Sequence, residues 1–269
     1  MQGLQSIAKI IDHRPESGDL PLVEIEDSRY LIRFARDLEE IEAALKLRFE
    51  VFNLELGEGL ASSFQTGRDR DEFDTTCHHL LAIEKASGRV IGTYRLQTLE
   101  MALGGAGFYS AGEFELHQLP LAVLKNSVEV GRACIDREHR NRQVLFLLWR
   151  GLARFMLSNQ KRFLFGCCSL TSQDPQDGMK MLAQLRRGGH LHPTLSVRPR
   201  SGYECVAAEP SKPLGADLKI PKLFVTYLGI GAMVCSAPAI DRQFKTIDFF
   251  VVFDLHVMGE KTRKQFFSV

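Results

Sequence analysis

The sequence predicts an α/β domain in which helices flank a central mixed β-sheet, and three observations carry that prediction. Residues 78–84 (HHLLAIE) and 90–97 (VIGTYRLQ) are strand-like runs joined by a short turn containing Gly88, the pattern of an antiparallel hairpin. Residues 127–135 alternate like a strand, residues 142–159 carry an apolar stripe at helical spacing, and residues 162–170 (RFLFGCCSL) are almost wholly apolar and small. A strand, a helix and a strand so spaced make a right-handed crossover between parallel strands. A strong strand over 246–255 (TIDFFVVFDL) completes the set.

Taken in order, residues 1–28 hold Pro15, Gly18, Pro21 and many charges and read as a flexible N-terminal extension to a single domain over 29–269. Residues 30–34 (YLIRF) read as a short strand. Asp37 then offers a helix N-cap, with Leu38, Ile41, Leu45, Phe49 and Phe52 at helical spacing behind it. Arg48 falls within that helix near its apolar face. It either snorkels to solvent or reaches a carboxylate in a cleft. Residues 54–70, with Gly57, Gly59 and Gly67, read as a mobile loop of the kind that covers a site. Arg95 lies on the second strand of the hairpin, and a glycine-rich loop follows from Gly104 to Gly112. Later helices are expected over 176–187, ended by Gly188 and Gly189, and from Pro221 to about residue 232.

At 269 residues and 45% hydrophobic content the chain can bury a sizeable core. A formal net charge of +1 gives no overall field for nucleic acid. The cysteines at 77, 134, 167, 168, 205 and 235 form no C-x-x-C pair, and the size does not call for a disulfide scaffold, so reduced, mostly buried thiols in the cytoplasm are expected. His78, His79, His190 and His192 complete no recognisable ligand set, and no metal is expected. The N-terminus is too polar for a signal peptide, and the longest apolar run, 223–235, is well short of the roughly 20 residues of a membrane span, so a soluble or at most peripheral protein is expected.

The most informative stretch is 127–151 (SVEVGRACIDREHRNRQVLFLLWRG). A strand that ends in a helix N-terminus is a ready place for an anionic ligand, because free backbone N–H groups and the helix dipole both favour it. Glu129 and Arg132 lie within that strand, where a charge is costly unless it is paired or used. They form either a structural ion pair or part of a site.

Arg48-Phe49-Glu50-Val51-Phe52, Asp71-Glu72-Phe73-Asp74, Ile91-Gly92-Thr93-Tyr94-Arg95-Leu96 and Glu129-Val130-Gly131-Arg132 occur in that order. The series resembles the acyl-homoserine-lactone synthases and the N-acyl amino acid synthases of the GNAT acyltransferase superfamily. It is closer still to the ornithine N-acyltransferases that make lyso-ornithine lipid, a group also labelled haemolysin-like. There the resemblance adds Leu148-Trp149-Arg150-Gly151, Gly166-Cys167-Cys168-Ser169, Gly231-Ala232-Met233-Val234-Cys235 and Ile247-Asp248-Phe249, and covers about residues 30–256.

The resemblance implies a GNAT-like fold. It also implies an N-acyltransferase that moves a 3-hydroxy fatty acyl group from acyl carrier protein to the α-amine of an amino acid, with ornithine as the acceptor. No cofactor is then bound, since the donor rides on the phosphopantetheine of the carrier. Glu129 is the implied general base, acting directly or through water, with Asp74, Arg95 and Arg132 as the other catalytic residues. Arg48, Asp71, Asp74, Arg95 and Arg132 would form a charged cluster in which an arginine takes the acceptor carboxylate as a bidentate fork. Phe52, Ala133, Cys134, Ile135 and Ser169 are expected to touch substrate. Arg140, Arg142, Gln143 and Val144 are expected at the donor phosphate.

The turn before the central helix, Arg140-Asn141-Arg142-Gln143-Val144, lacks the glycines of the Q/R-x-x-G-x-G/A turn that cradles a pyrophosphate in acetyl-CoA enzymes. A carrier protein brings a single phosphodiester, so the departure favours it as donor. Arg137, Arg140, Arg142, Arg150 and Arg154 would complement its acidic surface. A lipid product leaves contact with the inner membrane surface open. Two alternatives stand beside this reading: a CoA-dependent acetyltransferase acting on a small amine, and a membrane-active protein without catalysis.

Overall fold

The computed structural model describes residues 23–206 and 217–267. Its strands are β1 (Glu24–Glu26), β2 (Tyr30–Phe34), β3 (His78–Glu84), β4 (Val90–Thr98), β5 (Ser127–Ile135), β6 (Phe163–Leu170), β7 (Met233–Val234), β8 (Ala239–Asp241) and β9 (Thr246–Asp254). They make one sheet in the order β1-β2-β3-β4-β5-β6-β9-β7, with β8 also paired to β9. Its principal helices are α1 (Leu38–Phe49), α2 (Arg142–Ser158), α3 (Pro175–Arg187), α4 (Lys222–Gly229) and α5 (Glu260–Phe267). The expected mixed sheet flanked by helices is therefore present, with the early hairpin as β3 and β4 and the crossover as β5, α2 and β6.

All strand pairs are antiparallel except β5 and β6, and that pair decides where a ligand can enter. Its ladder has only three registered pairs, Ser127↔Phe163, Val128↔Leu164 and Glu129↔Phe165. Beyond Glu129, β5 stays with β4 and β6 stays with β9 through to Leu170, so the sheet forks. Gly166 sits at the apex. A Cβ there would lie 2.2 Å from the Val130 carbonyl oxygen, so only glycine lets the two backbones touch before they part. On the β4 side a bulge shifts register between Thr93 and Arg95, opposite Gly131 and Cys134. Arg132 absorbs it with a left-handed φ of 49°, and the bulge re-aims its side chain.

The period of two then sorts side chains between the two faces of the sheet. Tyr94, Leu96, Val128, Leu164, Phe249 and Phe253 join the main core, onto which α2 lays Val144, Leu148, Leu152, Phe155 and Met156. Gly151 allows the close approach of α2, since a Cβ there would meet Leu80 at 2.9 Å. Arg95, Gln97, Glu129, Ser169 and Asp248, all but Ser169 buried, alternate with those apolar residues and share the opposite face. A charged, water-poor layer therefore lies in the middle of the sheet.

Several expectations need correction. Residues 24–26, read as part of the extension, form an edge strand on β2, while residues 1–22 lie outside the described part of the chain. Residues 54–70 are not a loose loop. The helix continues as a π-helical turn over Glu50–Glu55, a short helix follows at Ser63–Thr66, and Glu58 and Asp69 are buried. The Asn53 side chain ties the segment by donating to the Leu60 carbonyl at 2.9 Å, and Asp69 is anchored by Arg48. The helix after Pro221 ends at Gly229, three residues before the expected stop.

Candidate active site

A cavity of about 290 Å³ opens in the fork between β5 and β6. The β5 backbone from Val130 to Ala133 has no β6 partner there, so its edge faces the cavity. One end is apolar, walled by Trp149, Leu152, Leu223, Phe224, Tyr227 and Phe253 from α2, α4 and β9. The other end is polar, with Glu129, Arg132, Tyr109, Ser169, Asp248 and Glu58.

Glu129 is held firmly. Its Oε2 accepts from Gln97 Nε2 at 2.6 Å and the Tyr109 backbone N–H at 2.9 Å, and its Oε1 accepts from the Ser110 N–H at 2.7 Å. A carboxylate has about four acceptor positions, so one remains for a further donor. The two backbone donors come from a 3₁₀ turn, Tyr109–Gly112, in the glycine-rich loop.

Behind Arg132 lies a buried network that balances three guanidinium groups against three carboxylates. Arg48 donates from Nε to Asp69 at 2.7 Å and from Nη1 to Asp74 at 2.6 Å. Arg95 donates to Asp71 and, at 2.9 Å, to Asp74. Arg132 donates from Nε to Asp69 at 3.2 Å and from Nη2 to Asp71 at 3.0 Å. The Arg132 guanidinium also lies 4.7 Å from the ring centre of Tyr109 and 4.4 Å from that of Phe244. Burial alone would raise the Asp69 and Asp74 carboxyls, but the adjoining arginine charges win and hold both below the ordinary range. His79, with Nε2 3.2 Å from the Asp74 carbonyl oxygen, is pushed down to about 4 by burial against the Asp74 charge and is neutral.

The residues singled out from sequence separate into three groups. Phe52, Arg95, Glu129, Arg132, Ala133 and Ser169 line the cavity. Arg48, Asp71 and Asp74 join Arg95 and Arg132 in the network without lining the cavity, and Arg48 has no solvent exposure at all. Because Arg48, Arg95 and Arg132 spend donors on Asp69, Asp71 and Asp74, the expectation of an arginine fork open to the acceptor carboxylate is corrected for Arg48. Its side chain is sealed within the network.

Cys134 is likewise outside the cavity, packed with Phe52 and Phe244, and burial pushes its thiol up to about 12, as suits a packing residue. Ile135 ends β5 away from the cavity, where its carbonyl accepts from Arg140. At the start of α2 the Val144 N–H is taken by the Asn141 side chain at 3.0 Å, Gln143 donates to Asp27 at 2.6 Å, and Arg140 is paired with Glu55 at 2.6 Å. Val144 itself is buried, so of these four residues only Arg142 is left exposed without a partner among the described residues.

Sequence reasoning missed Asp69, Gln97, Tyr109 and a second set of acids. Asp248 on β9 accepts from Ser169 and, at 2.9 Å, from Thr246 Oγ1. An acid within an otherwise apolar strand is the signal that singled out Glu129, and TIDFFVVFD carried it too. Glu113 follows the 3₁₀ turn and Asp241 ends the three-residue strand β8, and neither carries such a signal. Burial, then the charges around it, pushes the Asp248 carboxyl up to about 6. Glu58 is also raised by burial and accepts from Thr171.

The comparisons agree with this geometry. The acetyltransferase (GNAT) domain family matches residues 47–150, from the last turn of α1 to the first half of α2. An L-ornithine N(alpha)-acyltransferase of Rhodobacter capsulatus is 34% identical over 87% of this chain and 93% of its own length. Its counterpart of Brucella abortus is 32% identical over 86% of each chain. Among solved structures, an N-acyl amino acid synthase from uncultured soil microbes shares the fold, with a TM-score of 0.52, 11% identity, and coverage of 85% of this chain and 92% of that one. With a forked sheet, a two-ended cavity in the fork and relatives matched over nearly their whole length, the chain belongs to the L-ornithine Nα-acyltransferases, acyltransferases of the GNAT superfamily.

Proposed function

We propose that this protein transfers a fatty acyl group, 3-hydroxylated as in the resemblance, from acyl carrier protein to the α-amine of L-ornithine. The observation that carries the reading is the division of one cavity into an apolar end and a charged end, meeting at the free edge of β5. An acyl chain fits the apolar end among Trp149, Leu152, Phe224 and Phe253, and an amino acid fits the charged end.

The acyl thioester then lies along β5, where unpaired strand N–H groups around Ala133 can hold the pantetheine and polarise the thioester carbonyl. The α-amine attacks after losing a proton to Glu129, directly or through one water, at the acceptor position that Gln97, Tyr109 and Ser110 leave unfilled. A C–N bond forms, the C–S bond breaks, and the pantetheine thiolate leaves and takes up a proton. Arg132 holds positive charge at that point through its aromatic sandwich and its two aspartates, with Arg95 and Asp74 fixing it from behind.

The donor's single phosphodiester suits a helix start that has no glycine cradle and whose Val144 N–H is already capped. Exposed Arg137, Arg142 and Arg154 supply the charge an acidic carrier would meet. Among the described residues no helix is long and apolar enough to cross a membrane. It is the acyl-carrier-protein donor that points to the cytoplasm, and the lipid nature of the product that points to a hand-over at the inner membrane surface.

The test is a product assay by mass spectrometry with ornithine and either 3-hydroxyacyl carrier protein or the matching acyl-CoA. Nα-acyl-ornithine formed with the carrier protein alone is the expected result. Equal product from both donors would move the donor to CoA, and absence of any N-acyl amino acid would sink the reading.

A further inference from the structure

On the face that carries Glu129, three more acids converge. Glu113, Asp241 and Asp248 each offer an oxygen within 4.8 Å of the others, and all three residues are buried, at 3%, 7% and 3% exposure. None makes an ion pair among the described residues. Asp248 accepts from the hydroxyls of Ser169 and Thr246 and, when Glu113 carries a proton, from Glu113. Asp241 accepts from the backbone N–H groups of Gln243 at 2.7 Å and Phe244 at 2.9 Å, with the Tyr109 hydroxyl 3.5 Å away. Neither oxygen of Glu113 receives a hydrogen bond.

A buried carboxylate with no donor costs free energy, and three carboxyls together repel one another. Burial and the neighbouring Asp248 and Asp241 charges accordingly push Glu113 well above the ordinary range. Arg132 acts on the group from a distance but donates to Asp69 and Asp71. A proton held between Glu113 and Asp248 relieves part of the repulsion, and a cation carrying N–H donors can take that proton's place. The cluster meets the cavity through Asp248, which lines it beside Ser169 and Tyr109, while Glu113 and Asp241 stand behind Asp248.

Resting on the functional reading above, we propose that Glu113, Asp241 and Asp248 seat the side-chain ammonium of the acceptor, and so select an amino acid carrying a second amine. An alkylammonium has three N–H donors, one for each carboxylate. The position fits as well. Glu129 accepts from the N–H groups of Tyr109 and Ser110, and Glu113 stands one 3₁₀ turn further on, its N–H bonded to the Ser110 carbonyl at 3.2 Å. Such a turn sets those two backbone positions about 6 Å apart, of the order of the reach between the two amines of an acceptor with a three-carbon side chain. A divalent metal fits less well, because hydroxyl and N–H donors point at Asp241 and Asp248 where it would need further oxygens.

The test starts with binding, without any acyl donor. Thermal denaturation of the full chain is followed with L-ornithine, with L-norvaline (the same carbon skeleton lacking the second amine), and with Ca²⁺ or Mg²⁺ alone. Ornithine should raise Tm and norvaline should not. Glu113→Gln and Asp248→Asn should remove that rise while melting, unliganded, no lower than wild type, since each takes a carboxyl from a repelling group.

In the transfer assay the ratio of kcat/KM for ornithine to that for norvaline should fall at least tenfold in Glu113→Gln. A residue acting only through the fold would lower both values together. An unchanged ratio in both variants overturns the seat and leaves the acyl-transfer reading standing. A rise in Tm with a metal ion alone, abolished by Glu113→Gln, overturns it in favour of a metal site. Ornithine-specific stabilisation with no acylation of any amino acid would keep the seat and sink the acyl-transfer reading.

Discussion

At the scale of single residues, Arg48 shows how a charge can be structural and still matter to a site. It is fully buried and bonded to Asp69 and Asp74, so its removal leaves two carboxylates in the core with only Arg95 and Arg132 to balance them. Breaking a buried pair in this way costs about 3–5 kcal/mol. Arg48→Ala should lose that much stability in urea denaturation, and Arg48→Lys should recover little, because an ammonium cannot serve two aspartates as a planar fork does. An Arg48→Ala protein with the stability of wild type and only its turnover lost would return Arg48 to the substrate.

His79 gives a pH signature in the same layer. Its folded value of about 4 lies below the ordinary 6.5, so between those pH values the unfolded chain takes up a proton that the folded one refuses. The contribution is complete above 6.5 and lost as pH falls toward 4, and the full span is worth about 3 kcal/mol. The measurement is the urea midpoint at pH 7 and pH 5, wild type against His79→Gln. Wild type should lose more stability on acidification, and equal losses would rule out a neutral, buried His79. Glu129→Gln keeps the shape of the side chain but cannot take a proton, so it should fold normally and lose at least a hundredfold in kcat. Near-wild-type turnover would make Glu129 scaffold.

At the scale of elements, the fork is what turns a sheet into a site. Gly166→Ala drives a methyl into the Val130 carbonyl, so β5 and β6 must part earlier. The ladder from Ser127 to Glu129 is only three pairs long and has little to lose, so the variant should show reduced transfer together with a lowered melting temperature. Full activity at unchanged stability would mean that the fork does not depend on Gly166. The strands and the central helix were legible from sequence because alternation and apolar periodicity are local. Glu129, Arg132 and Arg95 stood out because a charge inside a strand is costly wherever it falls.

At the helix start, Asn141 and Asp27 claim two groups that sequence alone leaves for phosphate, one through a local cap and one through a contact far along the chain. The segment over residues 54–70 was misread because its glycines suggest freedom, while Asn53 and Asp69 bind it through long-range contacts that no periodicity announces. Glu113 and Asp241 were invisible for the same reason. They meet Asp248 only once β8 and the turn after Phe108 have folded against β9.

For the molecule as a whole, the two faces of the sheet divide the labour. The α2 face supplies the apolar layer that receives a chain, the opposite face supplies charge, and the fork joins them through the sheet. If the apolar end measures the acyl chain, narrowing it should change which chain is transferred without disturbing the charged end. Leu223 on α4 is the place to do so, because it lines that end and is only half-buried, so a larger side chain there does not overpack the main core. With a mixture of acyl donors of different length, Leu223→Trp should shift the product masses toward shorter chains while the preference for ornithine over norvaline stays as in wild type. A product profile identical to wild type would mean that the chain leaves the fork by another route, and would turn the assignment of the apolar end away from α4.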